Sequence, residues 1–270
     1  MTNAAYFISD AHLGAAAPDA EEREARVIAF LESITHKASH LFIMGDFFDF
    51  WIEYTHAIRP DYFHILCEFR RLIKQGIEIH YLAGNHDFAL GSFLTETIGI
   101  FVHPTGYQSL RLQGKNLHIC HGDGLIPSDR GYRVLKKILR NSHCLRIYRL
   151  LHPNWGIPLA EGFSRTSRNK INFRTRERER EAYRQIAKNM LKGAPDIVLF
   201  GHTHYPEIRS WNGKIYCNTG DWIQHFTYAV LENGEIHLKK YGSDDQSFDV
   251  LPLSPAGFIS FGPDGIHHGL

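Results

Sequence analysis

Short apolar runs that stop abruptly at polar clusters recur along the chain. Tyr6-Phe-Ile-Ser9, Leu41-Phe-Ile-Met44, Ile79-His-Tyr-Leu-Ala83, Leu117-His-Ile-Cys120 and Ile197-Val-Leu-Phe200 are too short for helices and too hydrophobic for loops. They read as buried strands. Between the first and second, Asp19 to Ala38 reads as a helix, with Asp19 as its cap, Glu22 three residues on, and a stripe of Val27, Phe30, Leu31 and Ile34. Pro60 opens a second helix with the stripe Phe63, Leu66, Phe69 and Ile73, ended by Gly76. Strand and helix alternate through residue 83, which implies parallel pairing with crossover helices. From residue 106 onward hairpins take over, at Gly114-Lys115, Asn212-Gly213 and Asn233-Gly234. The economical architecture is α/β: two packed mixed β-sheets flanked by helices, in a single domain over residues 1–270.

Each apolar run delivers Asp, Asn or His where the chain must leave the sheet. The first leads to Asp10 and His12, the second to Asp46 and Asp49, and the third to Asn85, His86 and Asp87. The fourth leads to His121 and Asp123, and the fifth to His202 and His204. Ligands and catalytic groups in open α/β sheets collect at the carboxyl ends of strands. A lone Asp or His at a strand end is ordinarily a cap or a surface residue. Five in order, two of them holding alternate residues, need a common cause. Carboxylate and amide oxygens mixed with imidazoles, and no thiolates, suit Mn²⁺, Fe²⁺ or Zn²⁺. Paired ions about 3.5–4 Å apart need a bridging group and activate water for in-line attack on phosphorus.

Composition narrows the class. With 270 residues and 43% hydrophobic content the chain can bury a large core. Cys67, Cys120, Cys144 and Cys217 are widely spaced, with no Cys-x-x-Cys, so neither a disulfide framework nor a thiolate zinc site is expected and a reducing cytosol fits. The first strand starts within a few residues of Met1, leaving no room for a signal peptide. No apolar run reaches the roughly 18–20 residues of a membrane span. The tail from Ser243 is rich in Gly and Pro and carries no motif, and His267 and His268 there read as solvent-exposed.

The net charge of +1 hides an asymmetry. Residues 130–192 hold 17 Lys and Arg against 4 Glu, leaving 13 basic and 25 acidic residues elsewhere. This basic block falls between the His121 and His202 motifs, so it reads as a helical cap insertion above the site. Its bases are threaded with Val134, Leu135, Ile138, Leu139, Leu145, Ile147, Leu150 and Leu151, then Trp155-Gly-Ile-Pro158. Three readings compete: a solvated cap laced with salt bridges, a nucleic-acid face, or a cap whose apolar side meets anionic lipid or a membrane surface. Four acids cannot pair seventeen bases, and the interleaved apolar residues favour lipid.

Asp10-x-His12, Gly45-Asp46-x-x-Asp49, Gly84-Asn85-His86-Asp87, His121 and Gly201-His202-x-His204 resemble the five blocks of the calcineurin-like metallophosphoesterases, and span residues 10 to 204. The resemblance implies a first metal held by Asp10, His12, Asp46 and His204. It implies a second held by Asp46, Asn85, His121 and His202, with Asp46 as the bridge and Mn²⁺ as the foremost ion. By the same resemblance His86 stays off the metals and stabilises phosphate or protonates a leaving oxygen, oriented by Asp87. Asp49, one step beyond the ligands, orients a ligand or packs rather than coordinating. Within the family, Gly45-Asp46-Phe-Phe-Asp-Phe-Trp51, the stretch from His121 through Asp129 to Tyr132, and the Ser/Arg segment near 164–170 are similar to one branch. That branch cleaves the pyrophosphate of UDP-2,3-diacylglucosamine to UMP and 2,3-diacylglucosamine 1-phosphate in lipid A biosynthesis. Carried over, Asn85, Trp51, Asp129, Tyr132, Arg165, Arg168 and Lys170 would contact substrate. A peripheral seat on the cytoplasmic face of the inner membrane is implied, and no nucleic-acid partner. One residue departs: well-studied members of the branch carry Arg where this chain has His86, exchanging a fixed cation for a group that titrates near neutrality. The alternatives are hydrolysis of another nucleotide diphosphate or phosphodiester, nucleic acid included, and a non-catalytic metal-bound scaffold. The complete ligand set with His86 argues against the scaffold.

Overall fold

Strand β1 (Ala4–Ile8) alternates between two cores, which explains its unbroken apolar run. Ala4, Tyr6 and Ile8 face an outer layer of helices, whereas Ala5 and Phe7 face a second sheet. The computed structural model describes residues 3–126, 130–168, 173–242 and 247–253. The elements that follow β1 are α1 (Ala20–Ile34), β2 (Ala38–Ile43), α2 (Phe63–Lys74), β3 (Glu78–Leu82) and β4 (Phe101–His103). Then come the hairpin of β5 (Tyr107–Leu112) and β6 (Lys115–Cys120), and four helices: α3 (Arg130–Leu139), α4 (Ser142–Tyr148), α5 (Pro153–Arg168) and α6 (Phe173–Leu191). The described chain closes with β7 (Ile197–Phe200), β8 (Glu207–Trp211), β9 (Lys214–Asn218), β10 (Thr227–Glu232), β11 (Glu235–Lys240) and β12 (Leu251–Pro252).

These strands form two six-stranded sheets, ordered β11-β10-β1-β2-β3-β4 and β12-β8-β9-β7-β6-β5. In the first, β1 to β4 run parallel, as the helix crossovers require, and β10 returns antiparallel beside β1. The sheets meet through Phe7, Phe42, Leu82, Leu231 and Leu238 on one side and Ile119, Leu199, Ile208 and Cys217 on the other. Burying each large apolar side chain stabilises the sandwich by roughly 1.5–3 kcal/mol. Outside the first sheet, Phe30 and Leu31 of α1 and Leu66 and Phe69 of α2 complete a second core. All four cysteines are free.

Several local expectations shift. The first helix ends at Ile34 because Ala38 already pairs with Ala4 as β2. Asp19 does not cap it, since its carboxylate takes two bonds from Arg23 at 2.9 Å. Pro60–Tyr62 forms a 3₁₀ turn, so the second helix starts later and turns Phe63 outward at 62% exposure. Its buried stripe is Ile65, Leu66, Phe69 and Leu72. The three hairpins form where expected, yet β6, β7 and β9 are parallel neighbours.

That parallel pairing places residues 130–192 in the crossover from β6 to β7. Tyr183, Ala187 and Leu191 of α6 pack on Val198, Phe200 and Tyr216, so this helix flanks the second sheet. By contrast α3, α4, the link after α4 and the start of α5 leave large apolar side chains in solvent, among them Val134, Leu135, Ile138, Ile147, Leu150 at 85% and Trp155 at 76% exposure. Among the described residues no helix is long and apolar enough to cross a membrane.

Candidate metal centre

The motif residues follow the carboxyl ends of β1, β2, β3, β6 and β7. Pairing continues past the first two strands: the amides of Asp10, His12 and Leu13 donate to the carbonyls of Gly45, Asp46 and Phe47 at 2.9–3.1 Å. Asp10 and His12 are thereby fixed beside Asp46. The loops cross so closely that a Cβ on Gly45 would lie 2.7 Å from both the Gly84 Cα and the His121 Nδ1, and its φ of +87° also favours glycine. Five candidate ligands themselves adopt left-handed backbone: Asp10 (φ 55°), His12 (45°), Asp46 (50°), His202 (66°) and His204 (57°). Such conformations cost of order 1–3 kcal/mol each and persist where surrounding structure enforces them.

Three overlapping groups emerge, in each of which the ligand atoms lie within 4.8 Å of one another: Asp10, His12 and His204; Asp46, His121 and His202; His12, Asp46 and His86. Asp46 connects the first two, its Oδ2 lying 3.9 Å from His12 Nε2 and 3.4 Å from His121 Nε2. The side chains fit cations. Asp10 Oδ1 and His12 Nε2 are buried without a hydrogen-bond partner, a costly state for polar atoms otherwise. His121 Nδ1 donates to the Met44 carbonyl at 2.8 Å, which leaves Nε2 as a lone-pair donor only 2.9 Å from Asn85 Oδ1. A cation between these two atoms would have both as ligands. The surroundings favour positive charge at His121: burial opposes it, but Asp46 and then Asp10 outweigh the burial and push the pKa up to about 10. Burial, followed by repulsion from His121, drives His202 the other way, down to about 4.

Carboxylates behind the imidazoles aim them. Asp49 Oδ1 lies 3.2 Å from His12 Nδ1, the orienting position expected for it. Asp221 Oδ2 lies 3.4 Å from His204 Nδ1 and its Oδ1 3.1 Å from His225. Asp221 escaped the sequence reading, although Ile215-Tyr-Cys-Asn218 running into Thr-Gly-Asp221 repeats the strand-end pattern.

Two assignments are corrected. Asp87 does not serve His86. Its carboxylate accepts from the amides of Asp46, Phe47, Phe48 and Gly84 and from the Tyr81 hydroxyl, at 2.5–3.3 Å, so it ties the β2 loop to the β3 loop. Burial and the neighbouring Asp46 raise its pKa to about 6. His86 is instead ordered by the Asp49 carbonyl, which accepts from Nδ1 at 3.0 Å, leaving Nε2 3.9 Å from Asp46 Oδ2. Trp51 is not at the substrate's disposal: it is 2% exposed, stacks on Phe48 and Tyr62, and gives its indole N–H to Glu53. Glu53 also accepts from the amides of Gly91 and Phe93, a buried clasp that no motif announced.

Tyr132 lies at the start of α3, with its hydroxyl donating to Asp123 at 2.8 Å. Asp129 and Lys170 lie outside the described residues. Arg165 and Arg168 fall on α5, and their side chains lie outside the described ones.

The calcineurin-like phosphoesterase family model matches residues 5–206. A UDP-2,3-diacylglucosamine hydrolase of Porphyromonas gingivalis is 34% identical over 259 residues, covering 88% of this chain and 98% of its own. The enzyme of the same name from Neisseria meningitidis serogroup B is 28% identical over 242 residues, with 88% and 99% covered. One from Haemophilus influenzae strain PittGG is 26% identical over 241 residues, with 87% and 98% covered.

Proposed function

The chain belongs to the calcineurin-like phosphoesterase family, and from that premise we propose that it hydrolyses the pyrophosphate of UDP-2,3-diacylglucosamine, releasing UMP and 2,3-diacylglucosamine 1-phosphate in lipid A biosynthesis. One observation supports this choice above others: the ligand groups joined through Asp46 share a chain with an uncovered apolar face on α3–α5. A phosphodiesterase for soluble nucleotides has no use for that face. Relatives that match over nearly their whole length carry the same activity in their names.

Two divalent cations, Mn²⁺ foremost, supply Lewis acidity and lower the pKa of water when bound. Asp10, His12, Asp46 and His204 hold one, and Asp46, Asn85, His121 and His202 the other. His86, its Nδ1 committed to the Asp49 carbonyl, presents Nε2 to stabilise phosphate charge or protonate the leaving oxygen. Attack falls on the uridine-side phosphorus. Asn85, Asp129, Tyr132, Arg165, Arg168 and Lys170 hold the two phosphates and the sugar, while α3–α5 accept acyl chains and seat the enzyme on the cytoplasmic face of the inner membrane.

The test compares rates on UDP-2,3-diacylglucosamine, UDP-N-acetylglucosamine and bis-p-nitrophenyl phosphate. Each buried methylene is worth about 0.8 kcal/mol, so the acylated substrate should lead in kcat/KM by at least about 10²-fold. Indifference to the acyl chains would refute the lipid reading and leave the dimetal hydrolase.

A further inference from the structure

Asp123 follows His121 by two residues and is almost fully buried, yet it belongs to none of the three ligand groups. Its partners come from one face of the cap. The Tyr132 hydroxyl donates at 2.8 Å, Lys136 Nζ lies 2.6 Å away and the Arg140 guanidinium 3.7 Å away. Residues 132, 136 and 140 are spaced by four, one above another on α3 and its last turn. Lys136 also donates to the Asp123 carbonyl at 3.1 Å. Arg140 reaches further, to the Gly84 carbonyl at 2.7 Å and the Pro104 carbonyl at 3.5 Å.

Gly84 immediately precedes Asn85, and its amide donates to Asp87. One helix face therefore spans two of the loops that carry the expected second ligand set, the His121 loop through Asp123 and the Asn85 loop through Gly84. Hydrophobic burial cannot seat this helix, because Val134, Leu135, Ile138 and Leu139 all point to solvent. Its charged edge is its anchor.

We propose that Asp123, Lys136 and Arg140 form a strap in which α3 fixes the distance between the Asn85 and His121 loops. They are positioning residues, acting through the two loops rather than on the cations or the substrate. A helix that merely roofed the acyl chains would need no bond to the Gly84 carbonyl. The proposal rests on the hydrolytic reading for its rate measurement alone.

The test uses the full chain with Arg140→Met and Arg140→Lys. Hydrogen exchange followed by mass spectrometry reads the amides of Gly84 and His86, and steady-state kinetics on bis-p-nitrophenyl phosphate at saturating Mn²⁺ reads turnover without acyl chains. Arg140→Met should raise exchange at residues 84–87 by about tenfold, because the loop loses its outer tie. It should lower kcat by about tenfold with KM within about twofold, the scale of losing an outer partner of a metal site. Arg140→Lys, which keeps a donor, should recover both to within about threefold. Unchanged exchange at 84–87 overturns the strap whatever the rates do, and so does a defect confined to KM for the acylated substrate. A wild-type chain inactive on the diester would instead count against the hydrolytic reading, while exchange still decides the strap.

Discussion

The strand-end loops and the cap helices invert each other. At the loops, carboxylates and imidazoles turn inward: Asp10, His12, Asp46 and His121 are all buried. On α3 to α5 apolar side chains turn outward while Lys136 and Arg140 turn in. Buried charge is expensive unless paired or bound to metal, and monomeric proteins rarely leave wide apolar patches uncovered. Each region is thus incomplete by the standards of a folded chain, and under the proposed function each is completed by a different ligand chemistry, cations in one and acyl chains in the other.

Substitutions can separate the two halves. The largest effect belongs to the shared carboxylate. Asp46→Asn should lower activity by on the order of 10³-fold or more, because both ligand groups lose the same charge. Asp49→Asn, which alters the carboxylate behind His12 and beside His86, should cost about 10–100-fold. Metal analysis alongside should find two ions per wild-type chain and fewer in the Asp46 variant; equal losses from the two changes would show that Asp46 does not bridge.

His86→Ala comes next, with a fall of about 10²-fold in kcat and both metals retained, as for loss of a general acid or a charge-stabilising group. His86 also lies within ligand reach of His12 and Asp46. Metal content dropping in step with activity would therefore move it into the coordination shell.

On the cap, Leu150→Ser with Trp155→Ser should lower kcat/KM for the acylated substrate in lipid vesicles by about tenfold and leave bis-p-nitrophenyl phosphate turnover within about twofold. Thermal stability should hardly move, since exposed substitutions usually stay within about 0.5 kcal/mol. Equal losses on both substrates would show that the apolar face supports the metal site directly.

Which motif positions were legible follows from their physics. Asp10, His12, Asp46, His121, His202 and His204 announced themselves because a buried strand has a plain signature and its end must deliver whatever follows. Asp87 and Trp51 sit inside the same motifs and were misread. Sequence adjacency does not say where a side chain points, and Asp87 turns back to five donors while Trp51 turns into the aromatic core. The charge surplus of residues 130–192 was visible, but not that α6 would be spent on the second sheet.

By itself the sequence determined the strand-and-helix alternation, the order of the ligand-bearing strand ends, and an interleaving of bases with apolar residues between them. These are local properties, set by periodicity and composition. Only the tertiary structure decided that Asp221 stands behind His204, that Asp87 ties the β2 loop to the β3 loop, and that Arg140 reaches the Gly84 carbonyl. Those contacts join residues from separate elements of the fold, and the left-handed backbone at five ligands exists because packing from both sheets enforces it.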